Sequence, residues 1–534
     1  MSLPPLAHDA DALRPLLATV LDALTEGARE RSGPLPAGGP GPVAARVQAA
    51  LGDLLPEQGD PGALTTIVRT LAEGSSDPAD PLCAAHLHCP PLALPVAADL
   101  AASALNPSLD SWDQAPAASE LEALVVGVLA GEVYGGMRAE SGGAGAAGSG
   151  GGGVSGAGGA DAVPGVSGGE AALAPDAGGA ESGWVFGAAG TGAARAGVSG
   201  REAALGLSAE AALAPRAEAA PTPDALVTTG GTESNHLALL LAREAHGASL
   251  QLLCGANAHH SLHRAAWLLG LPEPLVLPTP TGVLDPVALG EALDRLAGPV
   301  LVAATAGTTD AGLIDPLPEI AARCAARGAR LHVDAAYGGG LLFSARHRGE
   351  LDGIRAADSV TLDLHKIGWQ PVAAGLLAVR DRGDLGALHH RADYLNADDD
   401  TEAGLPDLLG RSLRTTRRPD VLKIAVTLKT LGRTGLAELV DQVCDLARQF
   451  ADRVAARPRF ELYARPVIST VLFRPAGADV AAVRRALLEQ GTAVLGRART
   501  GDGRLWLKAT LLNPHTRPAD LDRLLDLVEG TTPT

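Results

Sequence analysis

From Asp224 onward, short apolar runs alternate with amphipathic stretches of helical period, and no other feature constrains the fold of this 534-residue chain as much. Strands are expected at Ala225–Thr228, Leu250–Cys254, Val300–Thr305, Leu331–Asp334, Val360–Leu362 and Ala374–Val379. Helices are expected between them, at Glu233–Ala245, Leu262–Leu269, Pro286–Leu296 and Leu317–Arg327. Apolar strands joined by helices imply an α/β fold with a mostly parallel central sheet covered on both faces. In such a sheet, chemistry gathers at the carboxyl ends of the strands.

The flanking regions read differently. Residues 1–95 form a helical N-terminal segment broken by Pro and Gly, in which Leu13, Leu16, Leu17, Val20, Leu21 and Leu24 share one apolar face. Residues 96–419 make the large α/β domain, opening with a helical stretch from Val96 to Val133 that is interrupted by the polar run from Asn106 to Trp112. Residues 420–534 make a small C-terminal α+β domain. Its parts are a long helix (Leu422–Leu431, then Leu436–Ala456), strands at Val467–Phe473 and Leu505–Thr510, and a last helix from Pro518. Residues 137–222 interrupt the large domain. Between Ser141 and Gly200, 22 of 60 residues are Gly, which leaves too little apolar area to offset ordering entropy. The expectation is a disordered surface insertion with a short helix near Glu202–Leu213.

Bulk properties exclude several classes. A formal net charge of −18 argues against a nucleic acid or an anionic membrane as the main partner. Five scattered cysteines do not suggest a disulfide framework and fit a reducing, cytoplasmic setting. Early acids at Asp9 and Asp11 and the lack of an apolar h-region argue against a signal peptide. No apolar run reaches spanning length. His86, His88 and Cys89 have no second ligand cluster, so no metal is expected.

The chemistry-bearing residues fall at the strand ends. Asp334 closes the run Leu331-His332-Val333-Asp334, and about thirty residues later Thr361-Leu362-Asp363-Leu364 leads into His365-Lys366. Alone, Lys366 reads as a solvated loop lysine and Asp334 as a helix cap. Together they are the minimal apparatus for pyridoxal phosphate: the lysine bonds to the aldehyde and the acid pairs with the pyridinium nitrogen. Thr228-Thr-Gly-Gly-Thr-Glu-Ser-Asn235 lies at a strand-to-helix turn, where glycines and free N–H groups suit a phosphate monoester. His259, after the next strand, can lie against a pyridine ring and reach a substrate carboxylate. Ala304-Thr305-Ala306-Gly307 supplies small residues and a hydroxyl around the cofactor.

In order and spacing, these motifs resemble the group II pyridoxal-phosphate-dependent amino-acid decarboxylases, which include aromatic-amino-acid, glutamate and diaminobutyrate enzymes. The resemblance runs from about Leu82 to the C-terminus, apart from the Gly-rich stretch. It implies the aspartate-aminotransferase type I fold of PLP-dependent transferases and a homodimer with active sites at the interface. By position, Lys366 would carry the cofactor with His365 beside the phosphate, and Asp334 would pair with the ring nitrogen. His259 and Ala336 would flank the ring, Gly231 and Thr232 would hold the phosphate, and Tyr394 would be the catalytic tyrosine of a mobile loop.

The resemblance implies L-amino-acid decarboxylation. Aromatic residues are only 3% of the chain, and Asp398, Asp399 and Asp400 flank the loop tyrosine. The overall pattern most resembles the diamino-acid branch of that family, which implies a basic diamino acid (lysine, ornithine or 2,4-diaminobutyrate) as substrate, as in siderophore or polyamine synthesis. The alternatives are an aromatic-amino-acid decarboxylase or aldehyde-forming relative, and a non-catalytic interaction protein on the same fold.

Overall fold

The computed structural model describes residues 5–135, 221–389, 399, 402–406 and 408–532. Its strands are β1 (Cys83–Ala84), β2 (Asp224–Thr228), β3 (Gln251–Gly255), β4 (Leu275–Leu277), β5 (Val300–Thr305), β6 (Arg330–Ala335), β7 (Ser359–Asp363), β8 (Gly375–Val379), β9 (Phe460–Leu462), β10 (Thr470–Pro475), β11 (Val494–Arg499) and β12 (Leu505–Thr510). The larger sheet runs β2-β8-β7-β6-β5-β3-β4. Its pairings from β7 through β4 are parallel, as expected. Strand β8 departs from the pattern and runs antiparallel to both β2 and β7. The link from Asp363 to Gly375 is too short for a helical crossover, so the chain can only turn back.

Every strand of this sheet except the short edge strand β4 coincides with an expected one to within a residue or two at each end. Strand β4 escaped notice because Leu275 and Val276 lie exposed and only Leu277 points inward. The helices between the strands bury their apolar faces on the sheet, and Pro116–Tyr134 adds Val125, Val126, Leu129 and Val133 to the same core. Within that helix, buried Glu122 accepts from Arg417 Nη1 at 3.0 and 2.9 Å, so each charge is compensated.

The smaller sheet runs β1-β11-β12-β10-β9 and has its own core around Phe450, Phe473, Leu507 and Leu525. Strand β10 begins at Thr470, three residues later than the pattern suggested. Strand β1 comes from the segment read as helical and pairs in parallel with β11, Cys83 opposite Val494. Two residues are too few to show a period. The expected break in the long helix is real: Val421–Ala456 kinks at Gly432, whose φ of 61° is open to glycine and costly for other residues.

Three N-terminal helices, Ala10–Arg31, Pro40–Leu51 and Ala63–Gly74, precede β1. The first and third approach closely at Gly27, where a Cβ would lie 2.3 Å from the Arg69 carbonyl oxygen. Among the described residues, no helix is long and apolar enough to cross a membrane. The Gly-rich stretch 137–222 lies outside the described residues except for positions 221 and 222.

Candidate active site

The turn after β2 and the carboxyl ends of β5, β6 and β7 open into one cavity of about 350 Å³. At the turn, Thr228 Oγ1 lies 2.8 Å from Ser234 Oγ, and Ser234 donates to the Leu376 carbonyl at 3.0 Å. Here glycine is required by space. A Cβ on Gly230 would lie 2.9 Å from His365 Cε1, and one on Gly231 would lie 2.9 Å from Ala336 Cβ. The helix Gly231–His246 therefore begins against the cavity wall with its first N–H groups open to an anion.

Asp334 is held from two sides. Asn235 Nδ2 donates to its Oδ2 at 2.8 Å, and the Ala336 N–H donates to Oδ1 at 3.1 Å. Because a carboxylate only accepts, the Asn235 amide nitrogen must face it, leaving the amide oxygen for Thr361 Oγ1 at 2.8 Å and His332 Nε2 at 3.0 Å. His332 then carries its proton on Nε2 and accepts from Ser359 Oγ, 2.9 Å from Nδ1. Burial pushes His332 down to about 4, so the imidazole is neutral at ordinary pH.

His259 caps the helix His260–Leu268. Its Nδ1 accepts from the Ser261 N–H at 3.3 Å and lies 2.8 Å from Ser261 Oγ. Burial lowers its pKa as well, so the neutral ring presents an Nε2–H donor. Asn235 Nδ2 also reaches Ser261 Oγ at 2.9 Å, which joins His259 and Asp334 in one network.

Lys366 Nζ sits 3.2 Å from Asp363 Oδ2, and His365 Nε2 is 3.4 Å from the same oxygen. Burial pushes Asp363 up to about 6, with the Lys366 charge opposing that rise. Burial and the neighbouring lysine bring His365 down to about 4. The turn carrying Lys366 is tied to distant parts of the chain. Fully buried Trp369 donates from Nε1 to the Leu512 carbonyl at 2.8 Å, and its own carbonyl accepts from Leu92 N at 3.0 Å.

Eight of the residues singled out from the sequence line this single cavity: Lys366, Asp334, His259, Gly231, Thr232, Thr305, Ala336 and His365. Tyr394 lies outside the described residues, as do Asp398 and Asp400. Sequence reasoning assigned no role to Asn235, His332, Ser261 or Asp363. The signals were present: Asn235 is four residues, one helical turn, after Gly231. His332 shares a face of an otherwise apolar strand with Asp334.

Residues 209–476, half of the chain, match the pyridoxal-dependent decarboxylase conserved domain. The L-2,4-diaminobutyrate decarboxylase of Rhizobium meliloti (strain 1021) is 36% identical over 500 residues, covering 90% of this chain and 84% of that protein. The chain belongs to the pyridoxal-dependent decarboxylases. The enzyme of the same name from Acinetobacter baumannii is 31% identical over 83% of this chain and 78% of its own. Among solved structures, the glutamate decarboxylase domain of diaminobutyrate-pyruvate transaminase and L-2,4-diaminobutyrate decarboxylase from Vibrio parahaemolyticus superposes with a TM-score of 0.71. It is 25% identical, with 97% of this chain and 95% of that one covered. Mouse CSAD, at 22% identity and a TM-score of 0.74 over 98% and 99% of the two chains, shares the fold.

The cofactor of this pyridoxal-dependent decarboxylase is pyridoxal 5′-phosphate, and the cavity fits it. Thr305 Oγ1, Asp363 Oδ1 and His365 Nδ1 are buried without a hydrogen-bond partner among the described residues, as polar groups awaiting a polar ligand would be. The paired glycines leave a cradle that any Cβ would fill. One amine, Lys366, and one firmly held acid, Asp334, face the same space.

Proposed function

We propose that this decarboxylase releases CO₂ from a basic diamino acid (lysine, ornithine or 2,4-diaminobutyrate) and yields the diamine. The observation that carries the proposal is the 36% identity, over nine-tenths of the chain, to a relative named for 2,4-diaminobutyrate. Lys366 holds the cofactor covalently. Gly231, Thr232 and His365 surround the phosphate, with the Thr305 hydroxyl nearby, and His259 and Ala336 flank the ring.

The bound cofactor supplies an electron sink for the pair left on Cα when the carboxylate departs. Asp334, oriented by Asn235 and the Ala336 N–H, would hold a proton on the pyridine nitrogen, so negative charge developing in the transition state would be stabilised. His259 offers its Nε2–H to the substrate carboxylate and fixes its direction. Tyr394 delivers the proton that replaces CO₂ on Cα.

The protein works as a homodimer. Exposed Leu21, Leu105, Leu124 and Val128 support this, since a second copy would cover them. Five free cysteines support a cytoplasmic location.

The test is CO₂ release by the holoenzyme across lysine, ornithine, 2,4-diaminobutyrate, glutamate, aspartate, tyrosine and tryptophan, with amine, aldehyde and ammonia quantified. A diamino acid should be turned over with the highest kcat/KM and give amine alone. Preference for an aromatic or acidic amino acid would refute the substrate assignment, and a dominant aldehyde product would refute simple decarboxylation.

A further inference from the structure

Asp363 stands where a phosphate-binding turn would ordinarily exclude a carboxylate. Both of its oxygens crowd the glycine turn: Oδ2 lies 3.1 Å from the position of a Gly231 Cβ, and Oδ1 lies 3.6 Å from that of a Gly230 Cβ. The group is 5% exposed, its Oδ1 has no partner among the described residues, and its Oδ2 is ion-paired with Lys366. We propose that Asp363 is a positioning residue for cofactor loading, holding the Lys366 ammonium beside the glycine turn until the phosphate arrives and then taking up a proton from solvent. The proposal rests on the reading that Lys366 and Gly231 hold the cofactor.

Charge balance requires the proton. Before loading, Lys366 and Asp363 form a neutral pair. Loading would commit the lysine nitrogen to the cofactor aldehyde, with loss of water, and would bring a phosphate of charge about −1.5 to −2 to the glycine turn beside the same carboxylate. Two anions confined to one buried site cannot both stay ionised without compensation. The charged neighbours of Asp363 are Lys366 and His365 on its own turn and Asp334 on the adjacent strand. His365 is neutral and Asp334 is a further acid, so neither relieves the repulsion. Burial has already raised Asp363 to about 6, so one proton converts it from a competitor into an O–H donor for the phosphate. Apart from the lysine–aldehyde condensation, which would release water, the only bond that changes is O–H, and binding becomes linked to proton uptake.

The experiment titrates the cofactor-free enzyme with pyridoxal 5′-phosphate, which engages Lys366 as well as the glycine turn, and the Asp363→Asn titration subtracts the protons exchanged by the lysine itself. Calorimetry in buffers of differing ionisation enthalpy reads the protons taken up per site. Wild type should take up close to one proton more than Asp363→Asn near pH 7.5. Its affinity should also fall about tenfold more per pH unit between about pH 6.5 and 8. Infrared difference spectra of the wild type alone should show a protonated-carboxyl band appearing on binding, a readout independent of how the variant folds. Equal proton uptake and parallel affinity slopes, or no such band, would overturn the role of Asp363 while leaving the site intact. Equal binding of pyridoxal phosphate to Gly231→Leu, or cofactor still fixed covalently in Lys366→Ala, would overturn the site reading and this inference with it.

Discussion

Substituting alanine for Gly375 probes the support beneath the phosphate turn without replacing any residue that faces the cavity. Gly375 opens β8, opposite Thr228 of β2 on one side and Asp363 of β7 on the other. A Cβ there would lie 2.4 Å from Gly230 Cα and 2.5 Å from both Gly230 N and Thr228 Oγ1. Non-bonded carbons rest about 3.5–4.0 Å apart, so the turn must retreat by about 1 Å or the strand must bend. Overpacking of this kind costs typically about 1–3 kcal/mol. If the turn holds, the cost appears as lost stability. If the turn yields, the N–H groups leave their phosphate-binding positions and cofactor affinity drops by about 5- to 140-fold, at about 1.4 kcal/mol per tenfold. Urea unfolding of the cofactor-free protein and fluorescence titration with pyridoxal phosphate measure the two terms, which should sum to at least about 1 kcal/mol. Gly386→Ala, whose Cβ would meet nothing within 4 Å, is the matched control and should match wild type in both assays. Wild-type stability together with wild-type affinity in Gly375→Ala would refute the claim that the turn is sterically pinned.

Asp334→Asn should retain the cofactor yet lose several orders of magnitude in kcat, and a mild effect would assign the ring nitrogen to another acid. Asn235→Ala removes a hydrogen bond to a charged group worth about 1.5–3 kcal/mol, so kcat at saturating cofactor should fall roughly 10- to 150-fold. Unchanged turnover would show that Asn235 does not orient Asp334. Trp369→Phe strands the buried Leu512 carbonyl and should cost about 1–3 kcal/mol in urea unfolding. His332 titrates near 6.5 when unfolded and about 4 when folded, so its contribution is full above pH 6.5 and is lost as pH falls toward 4. The loss is on the order of 3 kcal/mol, and His332→Gln should flatten that part of the pH–stability profile.

The parallel core of the large sheet was legible because each strand is a buried apolar run with helical pattern between, and periodicity reports burial directly. What escaped was set by length or by partners far away in sequence. The direction of β8 follows from the short Asp363-to-Gly375 link, and the pairing of β1 depends on a strand more than four hundred residues later. The site behaved likewise. Lys366, Asp334 and the glycine turn announce their chemistry by residue type at strand ends. Asn235 and His332 read as ordinary polar residues until folding places them against Asp334. Asp363 was hidden because an acid three residues before a lysine is commonplace on a solvated turn and consequential only when both are buried.

The ties between the lysine turn, β1 and the far end of the chain also impose an order on synthesis. At roughly 5–20 residues per second, the ribosome takes on the order of 20–80 s to travel from Ala84 to Val494. Throughout that interval Leu82 and Ala84 have no sheet to join, and the Trp369 indole has no carbonyl to meet. A stalled or truncated nascent chain is therefore left with an uncovered apolar edge for chaperones and proteases to find, and with a lysine turn that is not fastened. The Trp369 anchor of the lysine turn can form only once Leu512 has been made.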